Sequence, residues 1–330
     1  MKTSKKYIIA IDLGGTKLLV GLLDQKNKIV QTKKVKVQTH ISKNEFFVSL
    51  TETIENVIEK SGISLDQVLG IGMGCPGIID PEKGIIRVSP NISYLKNFPM
   101  KENLEKHFNI PVAIENDVNA GLLGEQQFGS AKGVENVVGI FMGTGVGGAL
   151  ILNGQIYRGS TGAAGEIGHT FLNLPSFSDS VREGQTVESL TGRLAIASEA
   201  SYLMSLQKAP HLYGEVGEKM SKIKSKSLLR SIQSGDKAIH ELIMSKARMI
   251  GMSMANCVNL LNPEKFVLGG GLVEAMGEII IPEAQKTMKK YALNPLADHV
   301  EVVEASLGDY SVLMGASQSI NLILDQEISS

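Results

Sequence analysis

Residues 112–120 read Val-Ala-Ile-Glu-Asn-Asp-Val-Asn-Ala, and a change of grammar inside this stretch decides the fold. Val112, Ala113 and Ile114 are apolar and stop abruptly at Glu115, Asn116 and Asp117. Val118, Ala120, Leu122 and Leu123 then begin a helical spacing. A strand that ends on carboxylates just ahead of a helix puts them at the carboxyl edge of a sheet, where open α/β sheets bind ligands. The competing reading is that Asn116 or Asp117 merely caps the helix. Glycine-rich hairpins on both sides of the stretch favour the first: Asp117 sits at a domain junction, with a phosphate donor bound beyond it.

Upstream, Tyr7 to Ile11 is an apolar strand, Gly14-Gly15-Thr16 a turn, and Leu18 to Leu23 the returning strand. Lys33 to Thr39 alternates like a third strand, and Glu45 to Lys60 has one apolar helical face. Val68 to Gly72 runs into Gly72-Met-Gly-Cys-Pro-Gly77, whose glycines and Pro76 allow close approach of backbone to a small ligand. Lys101 to Phe108 spaces as a helix. Downstream, Val137 to Asn153 repeats the first hairpin: apolar strand, Gly-Thr-Gly turn, apolar strand, then Asn153-Gly154. Two copies of one unusual hairpin predict a duplicated α/β architecture. Beyond Thr186 the chain reads as mostly helical, with a long helix over 236–261 stopped by Pro263. Phe266 to Leu268 and Val300 to Ala305 are further strands, and Ser311 to Leu324 is a last amphipathic helix.

Composition bounds the function. The chain has 330 residues, 43% hydrophobic and 20% charged, enough for two cores. A net charge of -1 argues against a nucleic-acid surface. No apolar run approaches the roughly 20 residues that span a bilayer, and the basic start leads into too short an apolar run for a secretory signal. Cys75 and Cys257 alone exclude a disulfide scaffold. They point to a reducing cytoplasm.

Several motifs carry chemistry. In Asp12-Leu-Gly14-Gly15-Thr16-Lys17, successive backbone N–H groups make an anion nest, with a hydroxyl and a positive charge beside it. Asp12 at the strand end could hold a metal ion through water. Gly143-Thr144-Gly145-Val146-Gly147-Gly148 formally matches the dinucleotide fingerprint. That motif requires a helix directly after it, and strand grammar follows instead. In Gly162-Ala-Ala-Gly-Glu166-Ile-Gly-His169, the Glu and His are near enough to converge on one ligand, although such a pair is commonly just a solvated loop. Glu188 could be a helix-start acid.

As a set and in this order, DLGGTK, GCPG, ENDVNA, GTGVGG, GAAGEIGH and LGGGLV resemble the ROK family of sugar kinases and repressors. The resemblance runs from Ile8 to about Ala316. It implies an α/β, two-domain actin-like ATPase (ribonuclease H-like) fold with a central cleft. The smaller domain would comprise 1–117 plus 308–330, and the larger 118–307. It implies transfer of the ATP γ-phosphoryl group to a sugar hydroxyl, with Mg2+ and with glucose the first choice. N-acetylmannosamine kinase, fructokinase and a non-catalytic sugar sensor are the alternatives. Asp117 would be the general base. Asn91 and Asn116 would orient the sugar, and Glu166, His169 and Glu188 would grip its other side. Asp12, Gly14, Gly15, Thr16, Lys17, Thr144 and Gly145 would cradle phosphates, and Gly269 and Gly270 would lie against the nucleoside. Such proteins are expected to be homodimers or higher homo-oligomers.

Two departures from the family pattern matter. Repressors carry a winged-helix segment before the first hairpin, whereas six residues precede Tyr7, so a DNA-binding role is not expected. The family's zinc is held by the counterpart of His169 and three cysteines, where this chain has Asp179, Val181 and Thr186. No structural zinc is expected here. The 171–187 segment should instead be held by packing through Phe171, Leu172, Leu174 and Phe177.

Overall fold

The computed structural model describes residues 6–38, 41–172 and 186–329. The chain forms two compact units: Met1–Gly133 with Ile156–Ala164 and Asp309–Ser330, and Val134–Gln155 with Gly165–Gly308. The first unit thus runs on past Asp117 to Gly133. The helix Asp117–Phe128 stays with the first unit because it packs along the last helix, Ser311–Ser329. A Cβ on Gly124 or Gly315 would overlap the backbone of the partner helix, so small residues set this close contact.

The first unit is built on a five-stranded sheet ordered Ile29–Lys36, Lys17–Asp24, Tyr7–Leu13, Val68–Cys75, Val112–Asn116. The first three strands are antiparallel and the last two run parallel to Tyr7–Leu13. Successive side chains alternate between faces. Ile9, Ile11 and Leu13 therefore pack with Phe46, Leu50, Ile54 and Val57 of the helix Lys43–Lys60. Ile8 faces Ile320 of the last helix.

The glycines of the strand Val68–Cys75 seat it on the last helix, whereas the sequence reading assigned the run from Gly72 to a ligand. A Cβ on Gly70, Gly72 or Gly74 would run into Ile320, Ala316 or Val312 respectively. Residues two apart on a strand thus meet residues four apart on a helix, one strand face seated on one helix face. The close backbone approach anticipated for residues 72–77 is real, but along Gly72 and Gly74 the partner is the last helix. Gly77, at φ +103°, is crowded by Val88.

The third strand also departs from expectation. It spans Ile29–Lys36, because Asn27 in the left-handed region closes the preceding turn early. A small antiparallel sheet of Ile78–Asp80, Ile85–Val88 and Phe98–Pro99 completes this unit.

The second unit repeats the design. Its sheet is ordered Gln155–Ile156, Val146–Leu152, Val137–Met142, Lys265–Gly269, Glu301–Glu304, with the hairpin antiparallel and the last two strands parallel to Val137–Met142. Asn153 and Gly154 both have positive φ, 53° and 75°, as a two-residue hairpin turn demands. The helices Lys237–Leu261 and Val273–Tyr291 pack together and bury Ile239, Ile243, Ile250, Met254, Ile280 and Met288 in this unit's core. Asn262 in the left-handed conformation ends the first of them, ahead of Pro263. Among the described residues, no helix is long and apolar enough to cross a membrane.

Candidate functional site

In the first unit the Asp12–Lys17 turn is drawn tight by Gly14 N–H donating to the Lys17 carbonyl at 2.8 Å. Asn91 lies against it: a Cβ on Gly15 would sit 2.8 Å from Asn91 Cβ. Ile92, 1% exposed, anchors the Asn91 loop beneath. Thr16 and Lys17 are exposed. Burial, then the charges of Asp117 and Asp309, push the Asp12 carboxyl up to about 7, with Lys34 opposing them. Lys34 itself pairs with Asp309 at 3.4 Å.

The Asp12 carboxylate, with the Asp117 and Asp309 charges near it, offers the hard oxygen donors that a divalent cation would neutralise. No group of three His, Cys, Asp or Glu among the described residues is close enough to hold a metal unaided. Magnesium commonly takes one or two carboxylates and completes its shell with water and substrate phosphate.

At the edge of the same sheet, Asn116 is the helix cap. Its Oδ1 accepts the Val118 and Asn119 N–H groups at 2.9 and 3.1 Å, and its Nδ2 donates to the Gly77 carbonyl at 2.9 Å. The capping reading therefore holds for Asn116, leaving one amide hydrogen for a substrate. Asp117 is the first helical residue, its Oδ1 3.0 Å from the Val118 nitrogen. Glu115, 3% exposed, accepts from Asn119 Nδ2 at 3.0 Å and from Arg158 Nε at 2.8 Å. The Arg158 partnership, which sequence reasoning missed, ties Ile156–Ala164 to the strand that presents Asp117. Gly162, at φ +82°, packs on the Ile79 carbonyl in the same attachment.

In the second unit the Glu166–His169 turn is pressed onto the second hairpin. A Cβ on Gly168 would overlap the Val146 carbonyl. The Glu166 and His169 side chains are both exposed and lie 3.9 Å apart. The Thr170 carbonyl accepts from Val187 N–H at 3.0 Å, bringing Glu188 alongside. Glu188 Oε2 accepts from Val146 N–H at 2.9 Å, and Gly145 is the residue its carboxylate leaves no room to enlarge. The structure thus places Glu166, His169 and Glu188 beside the second hairpin, Asn91 and Asp117 near the Asp12–Lys17 turn, and Asn116 at the end of its strand against Gly77.

Gly269 is packed on the Phe141 ring, and Gly270, at φ +83°, on the Met142 backbone. Of this run Gly271 has open space, its nearest neighbour Ser225 Oγ at 3.9 Å. Asp179, Val181, Leu174 and Phe177 lie outside the described residues. Thr186 spends its hydroxyl capping the helix Val187–Thr191, accepting from Ser189 N–H at 3.2 Å. Leu172 packs on the second core, whereas Phe171 is 58% exposed and only its backbone pairs, with Thr186.

Two glycine-rich turns on duplicated sheets, each with carboxylates beside it, form the geometry against which relatives can be compared. The ROK family profile matches residues 8–321. This chain belongs to the ROK family. It is 32% identical over 321 residues to a glucokinase of Halalkalibacterium halodurans, covering 94% of each chain. It is also 28% identical to a xylose repressor of Caldicellulosiruptor bescii, covering 93% of this chain and 76% of the repressor. The structure of a ROK glucokinase from Streptomyces griseus, in complex with glucose and AMPPNP, superimposes with a TM-score of 0.79 at 26% identity, over 94% of this chain and 98% of that one. The ROK chain described here thus has the mixed α/β, actin-like ATPase fold.

Proposed function

We propose that this ROK protein is an ATP-dependent hexose kinase that phosphorylates glucose to glucose 6-phosphate. The observation that carries the proposal is Asp117 at the first position of its helix, electrostatically coupled to Asp12 of the glycine-rich turn. Phosphoryl transfer needs a base at the acceptor hydroxyl and charge stabilisation around the phosphates; the rest is positioning. Asp117 takes the hydroxyl proton. Asn91, the remaining Asn116 amide hydrogen, Glu166, His169 and Glu188 are the sugar ligands of this reading. The backbone N–H groups and Thr16 and Lys17 of the first turn, with Thr144 and Gly145 of the second, receive the phosphates.

Asp12 would hold magnesium through water, and the ion would neutralise phosphate charge. Its own ionisation, which burial and two neighbouring carboxylates oppose, is favoured in the loaded protein. Glucokinases of 32, 27 and 30% identity among the relatives support a kinase, and Asp117 is a group that a sensor does not need.

The test is ADP release coupled to a reporter enzyme over glucose, mannose, fructose, allose and the N-acetylhexosamines. Glucose should give the highest kcat/KM. Comparable turnover of N-acetylmannosamine or fructose with none on glucose would reassign the substrate. Tight sugar binding with no ADP release from any sugar would make the protein a sensor.

A further inference from the structure

The helix Arg193–Ser205 begins with a cation. A positive side chain there opposes the helix dipole, which favours anions at this end. Such a broken local rule is expected where a site requires it.

The surroundings say what the site requires. Arg193 and Leu194 donate their backbone N–H groups to the carbonyls of Gly143 and Thr144, at 3.2 and 3.4 Å. A trans peptide points its C=O and N–H in opposite directions. The same two peptides therefore aim the Thr144 and Gly145 N–H groups away from the helix, and neither has a partner among the described residues. Arg193 Nη2 donates to Thr144 Oγ1 at 3.1 Å. That is the one side-chain hydrogen bond Arg193 makes among the described residues, and no carboxylate pairs with it there. A guanidinium carries five N–H donors in a planar fork suited to phosphate. Two outward N–H groups, one hydroxyl and one arginine that no carboxylate pairs with among the described residues converge on the 143–145 turn.

Glu188 determines which phosphate. Its carboxylate sits on the same turn, bonded to Val146 N–H at 2.9 Å. A negative group there repels an anion unless a cation offsets it, which Arg193 does from the opposite end of the 188–193 segment. On the kinase reading Glu188 grips the acceptor sugar, so the phosphate beside this turn is the one nearest the acceptor. We propose that Arg193 binds the terminal, transferring phosphoryl group of the donor, with Thr144 Oγ1 fixing the guanidinium in place. The assignment rests on that kinase reading for the word "transferring" and on the turn geometry for the anion.

The experiment compares wild type with Arg193→Ala and Arg193→Lys. Calorimetry with AMPPNP and with ADP reads the terminal phosphate directly, and steady-state kinetics with ATP and the best sugar read the transition state. Arg193→Ala should weaken AMPPNP about tenfold while leaving ADP within about twofold, and lower kcat by ~10²-fold with little change in the sugar KM. Arg193→Lys should recover part of both losses, as a point charge without the fork. Equal weakening of ADP and AMPPNP, no rescue by lysine, or unchanged binding and turnover would each overturn the assignment. If wild type shows no turnover of any hexose, the AMPPNP-over-ADP preference and its loss in Arg193→Ala still decide the anion site. The kinase reading then fails alone. Wild type that does not distinguish AMPPNP from ADP refutes the proposal.

Discussion

The turns at 12–17 and 142–146 close the same five-strand pattern, yet they are armed with opposite charges. Around the first, Asp12 feels Asp117 and Asp309 and is pushed towards protonation, with Lys34 as the opposing charge. Around the second, Glu188 is bonded to the backbone of the turn and Arg193 to its hydroxyl. The first turn carries Asp12 and Lys17 itself, the second has no ionisable residue of its own, and the remaining charges come from outside the turns. Topology was duplicated, and the rest of the chemistry was delivered to each copy by elements distant in sequence. The first turn adds a cation site and a base to its phosphate nest, and the second sets an arginine against the Glu188 carboxylate.

That comparison can be broken first at its glycines. Gly145→Ala would drive a methyl group into the Glu188 carboxylate, whereas Gly15→Ala meets Asn91 Cβ at 2.8 Å on an exposed loop that can give way. Gly145→Ala should lower kcat/KM by ~10²-fold or more, since misplacement of about 1 Å costs that much. Gly15→Ala should lose less, and the reverse order in a kinetic comparison would mean that the first turn is the more constrained.

The next effect is on stability. Arg158→Met leaves Glu115, 3% exposed, without its counter-charge. Breaking a buried pair costs about 3–5 kcal/mol, and the partial exposure of Arg158 places the loss near the lower end. Urea titration should show a loss of ~3 kcal/mol, largely restored by Glu115→Gln in the same chain. A loss below about 1 kcal/mol would show that the attachment of Ile156–Ala164 does not depend on this pair.

Asp12→Asn sharpens the electrostatic half of the comparison. The Asp12 carboxyl titrates at about 7 in the fold, above its ordinary value of 3.8. The native state therefore binds the proton more tightly than the unfolded chain does. This contribution to stability is complete below about pH 4 and lost as pH rises through about 7. The variant should be more stable than wild type above pH 7, by ~2 kcal/mol after allowance for partial exposure, with the excess gone near pH 4. Melting curves with an excess that grows towards acid would reverse the sign and refute the assignment.

The smallest expected effect is none. Chelation followed by restored magnesium should leave activity unchanged, because Thr186 spends its hydroxyl on Ser189 and Val181 has no atom that can bind a metal. One tightly held zinc per chain, with activity lost on its removal, would contradict this.

The elements were legible where one period ran without interruption: both hairpins, the 237–261 helix and the last helix lie where the pattern put them. The purpose of Gly70, Gly72 and Gly74 was not legible, because the helix they receive comes some 240 positions later in the chain. Arg158 and Arg193 escaped for a related reason: each meets its partner across more than 40 residues, and an arginine next to a glycine looks like any solvated charge. The Arg193 signal was nonetheless present, in a cation at a helix start. Asn116 shows the opposite error, since its local capping role explains most of its hydrogen bonds and the ligand role uses what remains.

The most direct measurement is a single-turnover quench of Asp117→Asn against wild type, with labelled ATP and saturating glucose. Asparagine keeps the size and loses the base. The account predicts that the variant retains glucose and AMPPNP affinity within a few-fold while the chemical step slows by ~10²–10⁴-fold. A variant whose burst of glucose phosphate forms at the wild-type rate would remove Asp117 from the mechanism and the kinase assignment of this site with it.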